Sequence, residues 1–259
     1  MMAELKSTSR GRTMVLTISN PEQRNAMGPE IYAAGVEALN AADTNPEVHS
    51  VVIVGEGSWF CAGGNLLRLQ ANRQRPPEVQ ARSIEAMHNW IDAIRTFAKP
   101  VIAAVEGAAA GAGFSLALAC DLLVAADDAV FVMSYANVGL SPDGGGSWSL
   151  SHLLPRQLVT ELLMAGERIS AGRLQQLGVV NRVVPHGAAL EAALAMAEQL
   201  NDRAPNVLSS VKELISEAPA ASLTQQLARE RDHFVRNLHH PNGGIGIAAF
   251  LAKQPPRYE

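Results

Sequence analysis

The run at 14–19 alternates and predicts a strand that ends at the turn Asn20-Pro21. Residues 29–42 carry apolar positions at helical spacing, and Pro46 then leads into a strand at 50–54. A Gly-rich turn gives way to Trp59-Phe60-Cys61-Ala62-Gly63-Gly64, and an amphipathic helix is expected over 77–97, with Pro100 at its exit. A short buried strand at 101–105 follows, then a small-residue loop at 107–113 that opens a helix through Ala119. Strands are expected at 121–125 and 130–133. From Trp148 onward nearly everything reads as helix: 149–154, 157–165, 171–177, 188–202, 206–216 and 223–237. Strands alternating with helices up to about Val184 imply an α/β core. The later helices imply an appended helical segment.

Composition sharpens this picture only by exclusion. Apolar residues make up 47% and charged residues 18% of 259, which suits a well-buried globular chain and opposes disorder. A net charge of −4 supplies no electrostatic reason to bind nucleic acid or an anionic membrane. The longest apolar stretch, 101–126, is broken by Glu106, several glycines and Asp121, which argues against a membrane span. Residues 1–12 lack the apolar core of a secretory signal, and Cys61 and Cys120 show no metal-ligand spacing. A cytoplasmic protein with free, buried thiols is expected.

Three Gly-rich segments fall where a strand meets a helix: Cys61-Ala62-Gly63-Gly64-Asn65, Gly107 to Gly113, and Ser141-Pro142-Asp143-Gly144-Gly145-Gly146-Ser147. Small residues let a backbone approach a ligand, and amides at a helix N-terminus favour negative charge. Each segment alone reads equally as a tight turn. None ends in the Gly-Lys-Ser/Thr of a P-loop, and no G-x-G-x-x-G follows the first strand. Gly113-Phe114-Ser115-Leu116-Ala117 approximates the nucleophile elbow of serine hydrolases. That elbow needs its serine on a turn directly after a strand, whereas Ser115 falls inside a helical pattern.

In order and spacing, the motifs resemble the enoyl-CoA hydratase/isomerase, or crotonase, family over essentially the whole chain. The matching pieces begin with Asn20-Pro21-Glu22-Gln23-Arg24-Asn25-Ala26-Met27, Phe60-Cys61-Ala62-Gly63-Gly64-Asn65-Leu66 and Lys99-Pro100 through Gly107. They continue with Gly111-Ala112-Gly113, Ala119-Cys120-Asp121, Val138-Gly139-Leu140, Pro142 through Gly146, and Ala248 through Lys253. The resemblance implies a ββα spiral α/β core over 1–195 and a helical oligomerisation segment over 196–259. It implies a homotrimer, or a hexamer built as a dimer of trimers. No separate cofactor and no metal are implied, because coenzyme A enters as part of the substrate.

Carried onto these residues, the family pattern gives the thioester oxygen two main-chain donors, the amides of Gly64 and Ala112. Preorganised donors aimed at a developing oxyanion are worth roughly 3–4 kcal/mol apiece. The resemblance places coenzyme A against Arg24, Ala26 and Ala62, adds Asn65 and Leu66 to the substrate-binding residues, and has Phe250 and Lys253 on the last helix complete the pocket, often that of a neighbouring subunit. Residues 66–77 are expected to cover the acyl group. The family's hydratases place a glutamate in each of two loops, and here those positions hold Ser115 and Tyr135. Neither is a carboxylate base, so the two are assigned to positioning or packing. Asp143 occupies the place where isomerases of the family carry an aspartate, although on sequence alone it reads equally as a turn or N-cap residue. Phe131, Met133 and Trp148 are expected to line an apolar surround for it. Pro142-Asp143 before Gly-Gly-Gly-Ser-Trp is similar to the phenylacetate-degradation branch, which acts on ring-derived CoA thioesters. The implied reaction is a double-bond shift with Asp143 as acid and base. Hydration, ring opening and non-catalytic acyl-CoA binding stand as alternatives.

Overall fold

The computed structural model describes residues 3–258. The chain opens with β1 (Glu4–Arg10), β2 (Thr13–Ser19), α1 (Pro29–Thr44), β3 (Ser50–Gly55), α2 (Leu66–Asn72) and α3 (Pro77–Thr96). It continues through β4 (Val101–Val105), β5 (Ala108–Ala110), α4 (Ala112–Ala119), β6 (Leu122–Ala126), β7 (Val130–Val132), α5 (Gly146–Leu153) and α6 (Arg156–Met164). After β8 (Arg168–Ser170), α7 (Ala171–Gln176) and β9 (Arg182–Val184), it ends in α8 (Ala189–Asn201), α9 (Pro205–Glu217), α10 (Leu223–Leu238) and α11 (Pro241–Leu251).

Two sheets organise these elements. The larger runs β1-β2-β3-β4-β6-β9, with only the β1–β2 pair antiparallel. The smaller runs β5-β7-β8. The chain therefore repeats a strand-strand-helix step, as in β4-β5-α4 and β6-β7-α5. In the two earlier turns single bridges stand in for the second strand: Met27 with Gly64, and Cys61 with Ala109. This succession is the expected ββα spiral.

The central strands are apolar on both faces because both faces are covered, as parallel sheets require. Val51 and Ile53 join Leu16, Ala103 and Leu123 in the main core, while Val52 and Val54 join Val15, Ile102 and Val124 against α8. The division expected at 195/196 falls inside α8, whose Met196 and Ala197 are buried against the sheet. Among the described residues no helix is long and apolar enough to cross a membrane.

Several elements differ from the sequence reading. β1 escapes the apolar pattern because it is an edge strand of mostly exposed polar residues, held by its register from Glu4 opposite Ser19 to Arg10 opposite Thr13. The loop expected at 107–113 contains β5, whose three alanines carry no strand signal and pair with 130–132 of β7. Residues beyond Trp148 include β8 and β9, three residues each, so the run is not all helix. α2 forms within 66–77, and Lys253 lies beyond α11 with φ +55° rather than on the last helix.

Candidate active site

Three loops converge on a cleft of about 550 Å³. The first carries Ala62, Gly63 and Gly64, the second Gly111 and Ala112, and the third Pro142, Asp143 and Gly144. The first two are stitched together by main chain: the Cys61 amide donates to the Ala108 carbonyl at 3.1 Å, and the Ala110 amide to the Cys61 carbonyl at 2.9 Å. On its other side the first loop accepts the Met27 amide at the Gly63 carbonyl, 2.8 Å away. Gly63 has φ +91°, and a Cβ there would stand 2.7 Å from the Ala110 oxygen and 3.2 Å from the Ala112 nitrogen. Only glycine permits that approach, and the approach brings the Gly64 and Ala112 loops into register.

The two amides are free for different reasons. Ala112 is the first residue of α4, where an N–H has no intrahelical acceptor. The bridge between Met27 and Gly64 uses the Gly63 carbonyl and the Asn65 amide, leaving the Gly64 amide out. α4 is buried along its whole length, so its positive N-terminal end opens on the cleft and not on bulk water. The geometry suits charge building on an oxygen.

Asp143 is the single carboxylate among the described residues lining this cleft. It is half-buried, and it is not a side-chain cap: α5 starts after Gly145 with no side-chain cap bond. Instead, Oδ1 accepts the Tyr135 hydroxyl at 2.5 Å, and the Asp143 carbonyl accepts the Ser115 hydroxyl at 3.0 Å and the Gly146 amide at 3.2 Å. Tyr135 is 9% exposed. Burial first, and then the charge of Asp143, pushes its phenol well above the usual range, so it keeps its proton and acts as a donor. Gly144 follows with φ +59°, and a Cβ there would come within 2.1 Å of Met87 Cε. That contact presses the Asp143 turn against α3.

Other sequence-derived residues distribute unevenly. Ala62, Asn65 and Leu66 line the cleft, and Asn65 also caps α2 by accepting the Arg68 amide at 3.1 Å. Arg24 and Ala26 lie outside the lining; the Arg24 carbonyl accepts the Ala62 amide at 3.0 Å and its guanidinium lies 5.0 Å from the Trp59 ring. Trp148 belongs to a second cavity, under Arg95 at 4.6 Å, and Phe131 and Met133 are buried in the core. The apolar surround expected from these three does not form. Phe250 is 84% exposed, and neither it nor Lys253 lines the cleft of its own chain, which leaves both available to a neighbouring subunit. Ser115 is 1% exposed within α4, with its hydroxyl directed at main-chain carbonyls and not at an imidazole, which removes the nucleophile-elbow reading.

Sequence reasoning missed the α3 wall. Gln80, Ser83, Ile84, Met87 and His88 all line the cleft, and their spacing of three, four, seven and eight residues is one helical face. Tyr32 of α1 completes that side. Cys61 is fully buried, and burial pushes its thiol up to about 12, so it is no nucleophile at neutral pH. Away from the cleft, Glu106, Asp128 and His186 cluster with ligand atoms within 4.8 Å, but Glu106 is occupied by the Gly187 and Ala189 amides at 3.1 and 2.9 Å.

Known proteins share this plan. A family model described as enoyl-CoA hydratase/isomerase matches residues 9–259. The 2,3-dehydroadipyl-CoA hydratase of Escherichia coli (strain K12) is 32% identical over 258 residues, covering 100% of this chain and 99% of that protein. The 1,2-epoxyphenylacetyl-CoA isomerase of the same organism is 32% identical over 259 residues, with 100% and 99% covered. A crystal structure of an enoyl-CoA hydratase from Polaromonas sp. JS666 superposes with a TM-score of 0.98 at 72% identity, covering 99% of this chain and 100% of that one.

Proposed function

The chain belongs to the enoyl-CoA hydratase/isomerase family and has the crotonase fold, and on that premise we propose that it shifts a double bond within an enoyl-CoA. The observation that carries this reading is a single carboxylate, Asp143, sharing a cleft with the free amides of Gly64 and Ala112. The thioester oxygen accepts from both amides. Asp143 takes the proton from carbon 2 of a 3-enoyl chain, and the C–H pair delocalises into a dienolate whose charge rests on that oxygen. The protonated Asp143 then delivers the proton to carbon 4. The carbonyl reforms, and the double bond lies between carbons 2 and 3. One base acting twice needs no water, which accords with Ser115 and Tyr135 occupying the places of the hydratases' glutamates.

The test uses Asp143→Asn with 3-hexenoyl-CoA, following the absorbance of the conjugated thioester, and measures acyl-CoA binding by calorimetry. Turnover falls by at least the 10²–10⁴ that general acid–base catalysis typically supplies, roughly, while binding survives. Retained turnover in that variant sinks the assignment.

A second reading, water addition directed by Asp143, is favoured by relatives named as hydratases. The relative named 1,2-epoxyphenylacetyl-CoA isomerase supports a ring-derived acyl group. Mass spectrometry of products separates the readings, since hydration adds the mass of water and isomerisation adds none. We also read the C-terminal helices as an assembly surface, supported by exposed Val211, Ile215, Leu227 and Phe234 on α9 and α10.

A further inference from the structure

We propose that Tyr135 is the positioning residue of the acid/base step, holding Asp143 by one oxygen so that the other carries the substrate proton from carbon to carbon. The proposal rests on the reading of Asp143 as the acid/base group.

Three observations carry it. First, the bond is selective within the carboxylate: Oδ1 accepts the Tyr135 hydroxyl at 2.5 Å, whereas Oδ2 has no hydrogen-bond partner among the described residues. A hydroxyl bonded to one oxygen restrains rotation about the carboxyl axis and leaves a single oxygen to bind the proton. Second, both ends of Asp143 are tied to the element that bears an oxyanion amide. The Ser115 hydroxyl, on α4, reaches the Asp143 carbonyl at 3.0 Å. The Tyr135 ring in turn packs on Gly111, where a Cβ would stand 3.6 Å from its Cζ and 3.8 Å from its hydroxyl. Gly111 immediately precedes the Ala112 amide. The distance from base to thioester oxygen is thus set through Tyr135 on one side and Ser115 on the other. Third, Tyr135 remains a donor across the working pH range, since burial and then the adjacent carboxylate hold its proton on.

The chemistry balances without a further reactant. Asp143 enters as the base, with Tyr135 donating to Oδ1. The proton from carbon 2 arrives on Oδ2, and Oδ1, now carbonyl-like, still accepts from Tyr135. Return of the proton to carbon 4 restores the carboxylate. Tyr135 neither gains nor loses a proton.

Tyr135→Phe removes the hydroxyl and keeps the ring on Gly111. With 3-hexenoyl-CoA, its kcat is expected to fall by about 10- to 100-fold from misorientation of the base, with KM changed less than about twofold. The discriminating readout is isotopic. With substrate deuterated at carbon 2, the wild-type protein delivers part of the label to carbon 4, read by mass spectrometry. In Tyr135→Phe the freed carboxyl turns to solvent and label transfer drops. Thermal unfolding and acyl-CoA binding verify that the variant is folded. Equal label transfer in the two proteins, or a kcat loss matched by an equal rise in KM, overturns the role of Tyr135. Active Asp143→Asn overturns the base assignment itself, whereas inactive Asp143→Asn beside an unaltered Tyr135→Phe refutes the tyrosine role alone.

Discussion

Ala112→Pro deletes one oxyanion donor by a change that α4 is built to tolerate. Ala112 is the first residue of the helix, where the amide makes no intrahelical bond and proline's fixed φ is already suitable. The preceding residue is normally constrained by proline, but Gly111 has no Cβ, and its φ of 51° and ψ of −121° are the mirror image of the extended region proline prefers before it. The substitution therefore removes an N–H without removing a helix hydrogen bond, and the unfolding midpoint is expected to stay close to that of the wild type. What is lost is one of two donors at the thioester oxygen. An oxyanion donor contributes about 2.7–4 kcal/mol, so kcat should fall roughly 10²- to 10³-fold. The assay is the rise of conjugated thioester absorbance from 3-hexenoyl-CoA, with acyl-CoA affinity measured separately. Ala112→Gly is the control: the donor is main chain, so losing the methyl group should leave kcat within a few fold while costing up to about 1 kcal/mol of stability. A proline variant that folds normally and keeps more than about a tenth of wild-type kcat refutes the oxyanion role of this amide.

Two predictions concern stability. Lys212 of α9 donates to the Ile94 carbonyl at 2.8 Å and to Asp121 Oδ2 at 2.8 Å, with 12% of its side chain exposed. Lys212→Met leaves the Asp121 carboxylate with the Val101 amide at 2.8 Å and the charge of Arg95, and should cost about 3 kcal/mol in denaturant unfolding at neutral pH. Burial already pushes Asp121 upward against the pull of Lys212, and a raised carboxyl favours the neutral form. The deficit of the variant should therefore shrink as pH falls, and a deficit constant with pH contradicts this account. His186 Nδ1 lies 3.0 Å from Asp128 Oδ2, and the hydrogen bond and charge of Asp128 raise the imidazole above its ordinary 6.5. A raised folded value means stability present in full below 6.5 and lost as pH rises through the folded value. His186→Gln should flatten the fall of the unfolding midpoint above that pH, and parallel curves for the two proteins disprove the linkage.

The strands and helices that bury a periodic apolar face were legible, and those without one were not. β3, β4 and α3 announce themselves by composition or spacing, whereas β1 and β5 exist because a neighbour supplies the other half of each hydrogen bond. The same holds at the site. The three loops stand out because they concentrate small residues where strand meets helix, and the resemblance to a family then singles out Gly64, Ala112 and Asp143 within them. Trp148 lies five residues from Asp143 in sequence and is expected in its apolar surround, yet α5 turns it toward Arg95 and a separate cavity. His88 and Gln80 went unnoticed because a helix face shows its periodicity but not what it faces.

By itself, the sequence determined an α/β alternation and three Gly-rich loops where strands meet helices; the spiral core, the oxyanion amides and an aspartate beside two replaced glutamates are what its resemblance to a family implies. The first two follow from local properties, apolar periodicity and the missing side chains of glycine, whereas the rest follows from the order and spacing of motifs shared with that family. Tertiary structure alone decided that Tyr135 grips Asp143, that Ser115 is buried behind the site instead of in it, and that α3 walls the cleft. Each depends on where the folded chain sets one side chain against another, even for Tyr135 and Asp143, which lie only eight residues apart. Such distances are set by how helices pack on sheets, and no pattern along the chain encodes them.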